Sequence, residues 1–68
     1  MGFQWVYQAG TFWVPFDRQS NFSIEQLWRR GAAGNIYVPS LQGLVYVNGP
    51  GLYAQQFSTR IAIARTGS

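Results

Sequence analysis

Near the start of the chain, Phe3, Trp5 and Tyr7 alternate with Gln4 and Val6. That period of two marks a β-strand. Gln8-Ala9-Gly10 then turns the chain, and Phe12 to Phe16 makes a second short strand. Pro15 confines its end to an edge or exit position, because proline cannot donate to a ladder. The two strands predict an antiparallel hairpin. Asp17 to Asn21 is polar and reads as a loop. A helix over about Phe22 to Arg30 follows, with Ile24, Leu27 and Trp28 on one face and Gln26, Arg29 and Arg30 outward. Asn21 or Ser23 can cap it, Ser23 and Gln26 having capping-box spacing. Arg29 and Arg30 complement the dipole of its last turn, and Gly31 supplies a left-handed stop. A helix of barely two turns holds only by packing.

Ile36 to Val38 and Leu44 to Val47 are β-branched or aromatic runs around a Pro39–Gly43 turn, a second hairpin. Asn48-Gly49-Pro50-Gly51 is a strong break. Leu52 to Phe57 carries no clear period. Ser58 to Arg65 reads as a closing strand, with Ile61 and Ile63 on one side and Arg60, Ala62 and Ala64 on the other. The expected architecture is α+β: one short helix packed on a curved, mostly antiparallel half-barrel sheet of about five to six strands. Residues 1–66 form the single expected domain, and 67–68 a flexible tail.

Composition narrows the chemistry. A chain of 68 residues needs a rich core, and aromatic residues, which make up 18% of the chain, can supply one. Without cysteine or histidine there is no disulfide scaffold and no thiol or imidazole metal site, which suits a reducing compartment. General acid–base and nucleophilic mechanisms lack their groups, since Asp17 and Glu25 are the only carboxylate side chains and lysine is absent. No glycine pattern matches a phosphate loop or a dinucleotide fingerprint. An enzyme is not expected, nor any cofactor. No apolar run reaches the ~20 residues of a membrane-spanning helix, and no leader pattern opens the chain. The positive charges are all arginine: Arg18, Arg29, Arg30, Arg60 and Arg65. A net charge of +3 is too weak for duplex nucleic acid, whereas the guanidinium fork suits a small anion bearing phosphate.

Trp5 in the first strand, Trp13 in the second and Glu25 early in the helix stand in the order that names the WWE domain. Trp5-Val6-Tyr7, Phe12-Trp13-Val14-Pro15-Phe16-Asp17, Ile24-Glu25, Gly31 and Leu44-Val45-Tyr46-Val47 extend the match. Gln55 and an arginine opening the last strand complete it. From Phe3 to about Arg65 the chain resembles that family. It departs at Asn48–Gly51, where an acidic-aromatic pair is usual, in a short stretch between Gln55 and the last strand, and in a basic ending reduced to Arg65. The resemblance implies an intracellular module, nuclear or cytoplasmic, that binds iso-ADP-ribose of poly(ADP-ribose), or terminal ADP-ribose or a related nucleotide. It also implies ubiquitin-ligase or ADP-ribosyltransferase domains as companions in a larger protein.

By matching positions, Tyr7, Trp13, Tyr46, Gln55 and Arg60 line the implied pocket. The residue types fit: adenine needs a flat partner and an amide for its polar edge, and pyrophosphate needs arginine or backbone N–H groups. Gln55 adjoins Gln56, and neighbouring strand residues face opposite sides, so the register of that pair is open. Trp5 and Trp28 are expected in the core. Glu25, which a phosphate would repel, is expected to hold the helix to a neighbouring N–H or arginine. Arg18, Arg29 and Arg30 read as solvated surface. Two other readings stand beside the favoured one: a protein–protein module on the same fold without ligand binding, and a small barrel that stacks single-stranded nucleic acid.

Overall fold

The computed structural model describes residues 2–67. Strands β1 (Phe3–Ala9) and β2 (Phe12–Pro15) form the first hairpin, followed by helix α1 (Arg18–Arg30). Strands β3 (Ala33–Val38) and β4 (Gly43–Asn48) form the second, joined through a 3-10 turn at Pro39–Leu41. Strands β5 (Tyr53–Gln56) and β6 (Thr59–Gly67) complete the chain. The six strands make one sheet in the order β2-β1-β6-β5-β4-β3, with every neighbour antiparallel and the sheet not closed. Leu52 to Phe57, which carries no period, thus contains a strand. No helix is long and apolar enough to cross a membrane among the described residues.

The helix begins at Arg18, four residues before the expected Phe22, because Asp17 is the cap. Asp17 is extended, and its Oδ2 accepts the amide of Ser20 at 3.2 Å, the bond an N-cap residue is placed to make. Arg18, Gln19 and Ser20 are polar, so apolar spacing gives no sign of that first turn. Asn21, one expected cap, does a different job beyond the end of β2. Its Oδ1 accepts the Trp5 amide at 2.6 Å and its Nδ2 donates to the Phe3 carbonyl at 3.3 Å. Gly31 ends the helix at φ 64, as a left-handed cap requires.

The helix lies on one face of the sheet. There Trp5, Tyr7, Phe16, Ile24, Leu27, Val38, Val45, Val47, Ala54 and Ile63 form the buried cluster. Gly49 lets the β4–β5 turn touch the helix end, since a Cβ there would lie 2.7 Å from the Trp28 Cα. Trp28 is not core as expected: it is 38% exposed, packed edge-on against Trp5 at 5.9 Å and covered by the Arg65 guanidinium at 4.6 Å.

Glu25 is 1% exposed and ties three parts of the chain together. Its carboxylate accepts from Trp5 Nε1 at 2.8 Å, Arg65 Nε at 2.9 Å and Nη2 at 3.0 Å, and Arg29 Nε at 2.8 Å. Arg29, read as free surface, is therefore an ion-pair partner. The Arg65 guanidinium first, with the Trp5 N–H and Arg29 adding to it, brings the Glu25 pKa down to about 2 against burial, which raises it. β6 also runs on to Gly67, which pairs with Phe3 while Thr66 pairs with Gln4. Gly67, expected in the tail, is thus a strand residue, because the length of β1 leaves it a partner. Ser68 lies outside the described residues.

Candidate functional site

Strand alternation sorts the expected site residues between two faces. Asn35 lies opposite Tyr46, Tyr46 opposite Gln55, and Gln55 opposite Arg60. These four form one row across β3, β4, β5 and β6. The next residues along, Gly34, Val47, Ala54 and Ile61, face the core, so the row lies on the face without the helix. Three expected ligand residues, Tyr46, Gln55 and Arg60, are thereby side by side. Trp13 opposes Gln8 and by the same alternation lies on that face, 49% exposed, but at the β2 edge beyond β1.

Tyr7 is elsewhere. It is buried on the helix side, its ring 4.8 Å from that of Phe16 and its hydroxyl 3.1 Å from Ser40 Oγ. A ligand on the open face does not meet it. Its position in β1, two residues from Trp5, carries it into the core.

Asn35, Tyr46 and Gln55 of the row line a cleft of about 430 Å³ together with Leu44, Gln56 and Phe57, whereas Arg60, opposite Gln55, stands outside that lining. The polar groups that converge there are amides and a phenol, which offer donors and acceptors without charge. Gln56 Nε2 donates to the Leu41 carbonyl at 2.8 Å, tying that side chain to the 3-10 turn. Gln55 is the glutamine that shares the row with Tyr46 and Arg60, while both Gln55 and Gln56 line the cleft. At one flank the Arg60 guanidinium lies 4.2 Å over the Tyr53 ring, and the Tyr53 ring is 6.3 Å from that of Tyr46. A guanidinium held over an aromatic ring is attracted by the ring's π-face, and its fork of N–H groups is the kind that pairs with phosphate.

Asn35, Leu44, Tyr53 and Phe57 were not among the expected site residues. Asn35 and Tyr53 follow from strand register, which depends on which strands pair. Phe57 follows from a turn the sequence pattern leaves open. A second cavity, of about 440 Å³, lies at the start of α1 among Phe3, Arg18, Gln19, Asn21 and Phe22. There the Asn21 side chain is already engaged with β1, and the Arg18 guanidinium and the Gln19 amide supply the remaining polar groups. A third, of about 340 Å³, adjoins the first cleft through Asn35 and extends past Tyr37 to Asp17. No family model, no curated protein and no solved structure matches the chain.

Proposed function

We propose that this chain is a non-catalytic binding module of the WWE type that takes ADP-ribose-type ligands on the helix-free face. The observation that carries the reading is the Asn35–Tyr46–Gln55–Arg60 row beside a cleft of about 430 Å³. That volume falls in the range of small-molecule sites, and the row offers what adenine and phosphate each need. Tyr46 supplies a flat face and a hydroxyl, Gln55 an amide for the adenine edge, and Arg60 a fork for the pyrophosphate. The chain order also supports it: hairpin, helix, hairpin and two closing strands, with the first strand paired to the last. In this proposal the open sheet is a curved half-barrel. The module works inside the cell, joined to ubiquitin-ligase or ADP-ribosyltransferase domains, and binds the iso-ADP-ribose unit or a terminal ADP-ribose.

A second reading has its own support. Tyr46, Tyr53 and Trp13 share one face with Arg60, an arrangement on which successive bases of a single strand can stack. Calorimetric titration with iso-ADP-ribose, ADP-ribose and oligo-dT separates the two. The first reading expects saturable ADP-ribose binding with a shallow salt dependence, as for one or two phosphate contacts. Oligo-dT binding with a steep salt slope, and none of ADP-ribose, reverses the order.

A further inference from the structure

Among the described residues, Phe57 combines a positive φ with a bulky side chain that is 92% exposed. It is the first residue of the two-residue connection between β5 and β6, closed by the Gln56–Thr59 pair, and its φ is 56. Both favoured connections of this length put positive φ at that position, where glycine or asparagine is the usual occupant. A bulky aromatic residue in the left-handed region is an outlier that costs stability. Gln42 and Leu52 are also left-handed, but each sits in a turn tied by its own amide, to the Pro39 carbonyl at 3.0 Å and the Asn48 carbonyl at 3.0 Å. Phe57 gains nothing comparable from packing: its side chain is 92% exposed. Strain maintained without a structural return points toward function.

The place where the ring is held is specific. Phe57 lines the cleft with Tyr46, Gln55, Gln56 and Leu44, two residues from Gln55 and three from Arg60. We infer that Phe57 is a binding residue, whose ring stacks on the nucleobase of the ligand as that base lies against Tyr46 and Gln55. The inference rests on the proposed ADP-ribose reading and names a group that reading lacks, an aromatic wall opposite Tyr46. A free ring at the rim is poised to close over a flat heterocycle, and base-on-aromatic stacking tolerates any base because each has a π-face.

Melting and calorimetric titration with iso-ADP-ribose test this on the parent chain, Phe57→Asn and Phe57→Trp. Asparagine accepts the left-handed backbone, so Phe57→Asn is expected to melt higher by about 4–8 °C while binding at least about fivefold more weakly. Phe57→Trp keeps a stacking surface and is expected to bind within about threefold of the parent. A more stable variant that binds more weakly is an outcome that loss of folding cannot produce. If the parent binds and Phe57→Asn binds equally well, the inference falls and the functional reading stands. If the parent binds no ADP-ribose ligand at all, the functional reading fails and takes this inference with it.

Discussion

Glu25 offers the most direct access to the energetics. Its carboxylate is buried against the Trp5 N–H and the Arg65 and Arg29 guanidinium groups, and its pKa falls from 4.5 to about 2. A pKa lowered by folding stabilises the folded chain above the unfolded value, and that stabilisation is lost as pH falls through the folded value. The window here is therefore from about pH 5 down to pH 2. The difference corresponds to about 3 kcal/mol at neutral pH, an order-of-magnitude figure trimmed by the solvent around Arg29, which is 61% exposed. In so small a domain, about 3 kcal/mol amounts to more than about 10 °C in Tm. Asp17, whose pKa is also lowered, adds to the acid sensitivity in the same direction; burial opposes that shift, and the hydrogen bonds from Ser20 and from the backbone at Asp17 and Gln19 together outweigh it. Glu25→Gln keeps the shape and removes the titration, so its acid slope falls to the part left by Asp17, from a lower stability at pH 7. Thermal melts of both proteins from pH 7 to pH 2 measure this. A parent Tm unchanged between pH 6 and pH 2.5, or an equal acid slope in Glu25→Gln, refutes the assignment of that stability to the buried carboxylate.

Gly49→Ala would place a Cβ 2.7 Å from the Trp28 Cα and 2.8 Å from its N, and backbone cannot swing aside. A loss of about 1–3 kcal/mol in urea unfolding is expected, and a silent substitution contradicts the close approach. Leu27→Ala opens a cavity under the helix and costs about 2–5 kcal/mol, a large share of the stability of so small a domain, read as a lowered Tm. At the cleft, Gln55→Ala costs about 1–3 kcal/mol of ADP-ribose binding, and Arg60→Lys recovers only part of what Arg60→Ala loses, both without a change in Tm. Arg30→Ala removes equal charge from the helix end and leaves calorimetric affinity unchanged; an equal loss there means diffuse electrostatics rather than a pocket.

Much of the fold follows from residue pattern because its strands alternate and its breaks are chemical. Trp5 between Phe3 and Tyr7 marks β1, and Gly31 marks the helix end. The early start of α1 is invisible to apolar spacing because its first turn is polar, and the Asp17 cap alone announces it. Trp28 follows the helical period but stands at the border of the face, where Arg65 covers it in place of the sheet. The role of Glu25 is half legible: a need for a partner follows from its type, whereas Arg65, forty residues away, requires the β1–β6 pairing. The candidate site shows the same division. Tyr46, Gln55 and Arg60 share a face through two strand registers, which no local pattern fixes. Tyr7 carries the same residue type as Tyr46 and falls on the opposite face. The strain at Phe57 exists only once the two-residue turn does.

The central claim is that ligand binds on the helix-free face, and amide chemical-shift mapping tests it most directly. On addition of iso-ADP-ribose, saturable shifts are expected at Asn35, Tyr46, Gln55, Phe57 and Arg60, with α1 from Arg18 to Arg30 unmoved. Shifts centred on the helix, on the Phe3–Phe22 cavity or around Tyr7, or no shifts at millimolar ligand, contradict it.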